Sequence, residues 1–320
     1  MAPSARTPGE AAQTLVLLLP ARRHFAGQAV SPAIARALGR AVTVRAEAGE
    51  LAQLRRTFQP LPAGHWPSAV LIEALERPEQ DLQPFLWLRA DPVWLRPDLG
   101  TARLMAWANL GLAAEEADAL AAPLRPLFGE FGHALVLRGP EAWVLQCPPE
   151  TRLPGFPHPL AALGDDAFPH LPQGPEARRW RSLLGEAQML LHQHPVNAER
   201  QRRGLPPANS LWFWGGGRLP DRVEGPAGRV ATADPELAAY ARAAGAEVGT
   251  GIDATRPGLI DLRAERRWAA VEALVALGRS ALGQGALARL VLDFADGEVL
   301  HLMRSQRWHV WKPPYPGFPA

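Results

Sequence analysis

The sequence has one cysteine, Cys147, and one lysine, Lys312, among 320 residues. A single cysteine permits no internal disulfide and no cysteine cluster for zinc. Long apolar runs are also missing. The run Leu15–Leu19 spans five residues, too few for a secretory core or a membrane span, and nothing else approaches about 18 uninterrupted apolar positions. These absences predict a soluble, cytoplasmic protein with no membrane segment. The lack of lysine makes nearly all of the positive charge guanidinium, a group suited to two-pronged contact with carboxylate or phosphate. Lys+Arg is 34 and Asp+Glu is 32, for a net charge of +2. The arginines are spread along the chain rather than gathered in a stripe, which argues against a nucleic-acid partner. Gly283-Gln284-Gly285 lacks the Lys-Ser/Thr of a phosphate loop. Gly215–Gly217 runs into Arg218-Leu219-Pro220 rather than a helix, which excludes a dinucleotide fingerprint.

What is present is an ordinary globular composition, 47% hydrophobic and 21% charged, with no internal repeat. Fibrous, coiled-coil and wholly disordered classes are excluded. Thr14–Leu19 is a continuous apolar run stopped by Pro20, the pattern of a strand buried on both faces of a parallel sheet. Ala113–Leu127, with an acidic first turn, predicts one helix. Gly174-Pro175 opens a long amphipathic helix that Pro195 ends, and Asn197–Arg203 predicts a short polar one. Ala208–Trp214 reads as a buried strand, Asp234-Pro235 as a helix start and Arg266–Leu282 as a helix. Leu290–Phe294 turns at Asp296-Gly297 into Glu298–Met303. The alternation of strand and helix in the second half predicts an α/β fold with a mostly parallel sheet. The expected organisation is a frayed arm (1–13), a first core strand with a flanking or inserted subdomain (14–150), a proline-rich linker (151–175) and an α/β core half (176–320).

That last part carries the most informative segment. Asn197 and Arg200 lie one helical turn apart and offer an amide and a cationic fork, a candidate anion clamp. Asn209 stands where a loop enters the next strand. Trp212 and Trp214 share one face of that strand. Gly215, Gly216 and Gly217 follow at its carboxyl end, the side on which open α/β sheets hold ligands, and glycine lets backbone approach a ligand closely. Arg218 adds a second cation. Together these nine residues form the candidate pocket for a small anionic or phosphorylated ligand. The string His194-Pro195-Val196-Asn197, Arg200, Gly204 through Gly217, with Asp91 through Asp98 and Leu171 through Pro175, resembles the RpfE-type regulatory proteins, a family also described as phosphoglycerate-mutase-like. Its central part is similar to archaeal-type cofactor-independent phosphoglycerate mutases of the alkaline-phosphatase superfamily. The resemblance implies a three-layer α/β/α core with an insertion, and substrate-side roles for Asn197, Arg200, Asn209 and Gly215–Gly217.

The resemblance also implies two metal ions, held by Asp and His, and a Ser or Thr nucleophile. Here the first strand ends in Pro20-Ala21, where that superfamily has Asp-Gly, and no matching nucleophile appears. Asp293 and His301 are the remaining candidate metal ligands. The expectation is therefore a regulatory or ligand-binding protein on a degenerate core, with no cofactor assigned. An active Mn²⁺- or other metal-dependent phosphoglycerate mutase or phosphomonoesterase, drawing on Asp91, Asp253, Asp293 and His301, is the alternative. A scaffold that meets a protein partner through tryptophans and the proline-rich tail is the third reading. His192 and His194 end a helix, where i and i+2 diverge, and Cys147 precedes two prolines with no histidine partner in evidence.

Overall fold

The computed structural model describes residues 13–226, 228–308 and 311–319; the expected arm at 1–13 lies almost wholly outside them. In chain order the elements are β1 (Thr14–Leu19), α1 (Pro32–Gly39), β2 (Val42–Arg45), α2 (Glu50–Thr57), β3 (Gln59–Leu61), α3 (Ser68–Glu76), β4 (Leu86–Asp98), β5 (Thr101–Trp107), α4 (Ala114–Ala121), α5 (Leu124–Gly129), β6 (Ala134–Gly139) and β7 (Ala142–Cys147). They continue with α6 (Pro175–His192), α7 (Pro195–Arg202), β8 (Ser210–Gly217), β9 (Arg222–Glu224), β10 (Arg229–Ala231), α8 (Pro235–Ala243), β11 (Glu247–Gly249), β12 (Gly258–Asp261), α9 (Trp268–Gln284), β13 (Arg289–Phe294) and β14 (Glu298–Met303). The single helix expected over Ala113–Leu127 is two, α4 and α5. Pro123 has no N–H for the helical ladder and breaks it.

The chain forms two compact units. One holds the residues up to Ala63 and from Arg222 onward; the other is Gly64–Asp221. The boundaries differ from those expected near 150 and 175. The proline-rich stretch 151–175 lies inside the second unit, where Leu163 and Asp166 make isolated bridges to Leu104 and Arg103 of β5 and the indole of Trp180 donates to Arg152 O.

The first unit is built on a seven-stranded sheet in the order β11-β10-β12-β1-β13-β14-β2. The strands from β11 through β13 are parallel, and β14 and β2 are antiparallel additions. Leu17 stands between Ile260 and Leu292 at the centre. Leu15, Leu17 and Leu19 with Leu290, Leu292 and Phe294 present one face to Ile34 and Leu38 of α1 and to Trp268, Val271 and Val275 of α9. Residues between them point the other way, toward α2, whose Gln53 donates to Leu19 O at 3.0 Å and to Asp293 O at 2.6 Å. Phe58, just after α2, stacks on Tyr240 of α8. Helices on both faces of a mostly parallel sheet make the expected three-layer α/β/α class. The turn from β13 to β14 needs Gly297: its φ is +84°, and a Cβ there would lie 2.4 Å from Ala46 O.

The second unit is a five-stranded antiparallel sheet. On one edge β4 pairs with β7 through Leu86–Arg89 and with β5 through Val93–Asp98; on the other it pairs with β8. Pro92 falls between the β7 and β5 pairings, where a strand tolerates a residue without an N–H. Leu88, Trp143, Leu145 and Phe213 pack on α4, α5 and α6. The opposite face packs Trp87 and Val144 on Ala69 and Val70 of α3.

Candidate functional site

The candidate pocket residues all belong to the second unit. Asn197 is 2% exposed. Its Nδ2 donates to Leu191 O at 2.8 Å and Ala208 O at 2.9 Å, and its Oδ1 accepts from Ala208 N at 2.9 Å. This amide ties the end of α6 to the start of β8. Arg200 is fully buried. Its guanidinium donates to Pro206 O at 2.9 Å, Gly111 O at 3.3 Å and Leu110 O at 2.6 Å, and pairs with Glu116 at 2.5 Å. Asn209 clamps β4 through Leu95, accepting from its N at 2.8 Å and donating to its O at 2.7 Å. The structure brings these residues near one another, but it spends their polar groups on backbone. They do not form the open anion clamp expected of them. Buried polar groups need partners, and here the chain itself supplies them.

The strand-end argument fails for a second reason. β8 is antiparallel to β4, so the rule for ligands at carboxyl ends of parallel strands does not reach it. Gly215 and Gly217 pack instead on the start of α3, and Gly216 faces Leu88 and Leu153. Gly215 has φ +63° and a Cβ there would lie 3.0 Å from Ser68 Cβ, while one at Gly217 would lie 2.8 Å from Pro67 Cβ. Arg218 donates to Pro149 O, and Trp212 Nε1 donates to Pro157 O at 2.9 Å.

Trp214 leads to a cluster that the sequence concealed. Its Nε1 donates to Asp91 Oδ2 at 2.7 Å, and Trp107 Nε1 donates to the same oxygen at 3.0 Å. Asp91 Oδ1 accepts from Arg89 Nη2 at 2.6 Å and from Trp143 N at 3.0 Å. Asp91 is 1% exposed and sits where β4 exchanges β7 for β5. Its carboxylate joins β4, β5, β7 and β8, and its oxygens are filled by protein donors rather than offered to a metal. The His158 ring lies edge-on to Trp214, with centroids 4.6 Å apart.

In the first unit the carboxyl ends of the parallel strands carry acid–arginine clusters. At β13, Asp293 is gripped by Arg56, with Nε to Oδ2 at 2.7 Å and Nη2 to Oδ1 at 2.5 Å. Just beyond, Arg22 joins Asp296 at 2.7 Å and Glu298 at 2.8 Å. At β12, Arg263 bonds Asp261 at 2.8 Å and Asp234 at 2.7 Å, and Thr232 Oγ1 donates to Asp261 at 2.8 Å. Burial alone would push the Asp261 carboxyl up, but the bonds and charge of Arg263 hold it below the usual carboxylate range. Arg22, Arg56 and Arg263 were not singled out by sequence reasoning. The close spacing Asp261-Leu262-Arg263 was the one local signal.

His301 lies on β14 opposite Val291, two positions along the ladder from the Asp293–Val299 pair, so it does not reach the strand end with Asp293. His194 Nδ1 accepts from Val196 N at 3.3 Å and caps α7, while His192 ends α6. Asp253 pairs with Arg229 and Arg256. Among the described residues no group of three or more His, Cys, Asp or Glu could hold a metal ion. The donors at the strand ends are committed to guanidinium, and the residues present do not fit the pair of metal ions that the resemblance implies. Burial pushes the Cys147 thiol up to about 12, which leaves it inert as a nucleophile. No described helix is long and apolar enough to cross a membrane.

The chain is similar over a short stretch to 2,3-bisphosphoglycerate-independent phosphoglycerate mutases. It is 39% identical over 64 residues to a probable enzyme of this kind from Geobacter sulfurreducens, which is 20% of this chain and 16% of that protein. Over 64 residues, with the same coverage of both chains, it is 41% identical to the Methanothrix thermoacetophila enzyme. The matched stretch thus spans about a sixth of the length of these relatives. Two solved structures align with most of the chain at 16% identity. They are a cofactor-independent phosphoglycerate mutase from Thermoplasma acidophilum (TM-score 0.41, 91% of this chain, 89% of that one) and a Pyrococcus horikoshii protein (TM-score 0.45, 94% and 90%). No family model matches the chain.

Proposed function

We propose that the protein is a cytoplasmic regulatory or ligand-binding protein of the RpfE-type kind, built on a phosphoglycerate-mutase-like core that no longer performs phosphoryl transfer. The observation that carries this reading is the engagement of the strand-end carboxylates by arginine: Asp293 by Arg56, Asp296 by Arg22, Asp261 by Arg263. Two-metal phosphoryl chemistry needs a full set of ligands around ions about 4 Å apart. Asp293 and Asp261 are held at both oxygens by a guanidinium, so the positive charge a metal ion would supply is already present beside them, and removing the guanidinium would leave a buried charge without its partner.

The short identity to the mutases supports shared ancestry of part of the core. The hydrogen bonds of Asn197, Arg200 and Asn209 to the chain's own groups support a structural role for these residues that needs no catalysis. The tryptophans give a scaffold reading little surface: most are buried or half-buried, and Trp308 and Trp311 are the exposed pair.

The test is turnover of 3-phosphoglycerate and of a chromogenic phosphomonoester by the purified protein, with and without Mn²⁺. No metal-dependent turnover is expected at a sensitivity well below about 1 s⁻¹. Metal-dependent turnover that disappears in Asp293→Asn would establish an enzyme and overturn the reading.

A further inference from the structure

The seven-stranded sheet of the first unit ends on β2, and that edge is open. In the antiparallel pairing of β2 with β14, Arg45 lies opposite Glu298, Val44 opposite Val299 and Thr43 opposite Leu300. Ala46, next in the same register, donates its N–H to Gly297 O at 2.8 Å. Inter-strand bonds alternate along an antiparallel pair. Val42 and Val44 therefore turn their backbone groups to β14, and Thr43 and Arg45 turn theirs outward. Among the described residues no backbone hydrogen bond reaches those outward groups. Every residue of β2 is exposed, Val42 at 41% and Val44 at 44%.

An open edge is a template for another chain, and proteins blunt it with charge, proline or a covering segment. This chain does so at β5, whose outer edge is closed by Leu104 N donating to Asp165 O at 3.0 Å and Ala167 N to Ala102 O at 2.7 Å. β2 contains no proline, and no described segment covers its outer edge. Its one charged side chain, Arg45, is engaged by Glu298 Oε2 on the neighbouring strand at 3.2 Å. The rest is Val42-Thr43-Val44, β-branched residues that suit strand pairing.

The edge fits a copy of itself. A two-fold antiparallel pair sets one residue opposite its own counterpart at the centre. Centred on Arg45, the pair would bring two guanidiniums face to face, which is unfavourable. Centred on Val42 or Thr43, it would call on Ala41, whose N–H is already given to Leu38 O at 3.1 Å. Centred on Val44, it sets Thr43 opposite Arg45 of the copy, and the N–H of each meets the C=O of the other. All the outward groups are then satisfied, Val44 packs on its counterpart, and the guanidiniums stay at opposite ends of the ladder.

We infer that β2 pairs with β2 of a second copy of this chain, antiparallel and centred on Val44, so that two first-unit sheets run into one. Strands this short bury less than the roughly 1,600 Å² of a standard interface. The dimer is therefore concentration-dependent, with a dissociation constant of about 10–100 µM. The inference concerns assembly and stands whether or not the protein turns over phosphoglycerate.

The experiment is sedimentation velocity of the full chain between about 5 and 500 µM, with cysteine cross-linking to read the register. The parent is expected to pass from monomer to dimer across that range. Thr43→Pro removes an N–H outside the β14 ladder, so it should keep the fold and weaken the dimer at least about tenfold. Val44→Lys, at an exposed position, should weaken it similarly, most strongly at low salt. Val44→Cys stands at a close pair across the axis and should form an inter-chain disulfide under mild oxidation. Val42→Cys, which faces Ala46 of the copy, should form several-fold less. The parent, whose one cysteine is buried, should form none. A monomer at about 500 µM would leave the edge to some other chain and overturn the inference. So would dimerisation at parent strength in Val44→Lys or in folded Thr43→Pro, or cross-linking of Val42→Cys as readily as Val44→Cys.

Discussion

Arg200→Ala separates a structural arginine from a ligand-binding one. The side chain is fully buried and supplies donors to the carbonyls of Leu110, Gly111 and Pro206 and to Glu116. Breaking a buried pair by removing one partner costs about 3–5 kcal/mol, and each carbonyl left dry costs about 1 kcal/mol or more. Glu116 keeps 17% side-chain exposure, so water recovers part of its hydration, and water entering the emptied space recovers part of the rest. The net expectation is a loss of about 3–4 kcal/mol, or on the order of 10 °C in the unfolding temperature of a unit this size. Tryptophan emission is the readout, because Gly64–Asp221 contains most of the indoles. A two-unit chain need not unfold in one step, so the transition of this unit is compared between parent and variant in urea. Arg200→Lys should recover little, since one ammonium cannot reproduce the planar fork. A loss below about 1 kcal/mol would refute the reasoning and return Arg200 to the role of a spare cation available to a ligand.

Further predictions concern other links between sequence and behaviour. Cys147, buried with its thiol pushed up to about 12, should resist a thiol reagent at pH 8 in the native protein and react on unfolding; rapid native labelling would contradict its burial. Burial and the charge of Arg179 lower the pKa of His133 from its ordinary 6.5. The unfolded chain therefore accepts a proton that the folded chain resists. This contribution to stability is fully present above about pH 6.5 and is lost as pH falls from there toward the folded value, by up to about 1.4 kcal/mol per unit. Urea midpoints at pH 7 and pH 5 should differ less in His133→Gln than in the parent, and an unchanged difference would exclude His133 as a source. Gly297→Ala, at φ +84° with a Cβ 2.4 Å from Ala46 O, should destabilise the first unit by about 1–3 kcal/mol or more; an unfolding curve matching the parent would show that the turn can relax.

Where the sequence was legible, one strong local rule was at work. TLVLLL before Pro20 is β1, flanked on both edges by parallel strands. Gly174-Pro175 opens α6, and Asp234 caps α8 through the N–H groups of Glu236 and Leu237. The Asp296-Gly297 turn stands where it was expected. The misreadings share a different cause. Two of the three carbonyls that hold Arg200 belong to Leu110 and Gly111, about ninety residues upstream, and nothing local to Arg200 announces them. β4 runs from Leu86 straight through Pro92, which it accommodates because its partners on one edge change midway. Arg56 meets Asp293 across 237 positions of chain. A polar residue beside a ligand and a polar residue beside a carbonyl look alike until the fold supplies the neighbour.

The central claim is that arginine, rather than a divalent cation, holds the strand-end carboxylates. Mn²⁺ titration followed by electron paramagnetic resonance tests it directly, with Arg56→Ala as the companion variant. The account predicts free-ion signal throughout, with no site tighter than the millimolar range, about −4 kcal/mol, and no gain from the variant beyond weak binding at an exposed Asp293. Stoichiometric binding of one or two Mn²⁺ ions at micromolar concentration, about −8 kcal/mol, lost in Asp293→Asn, would contradict it.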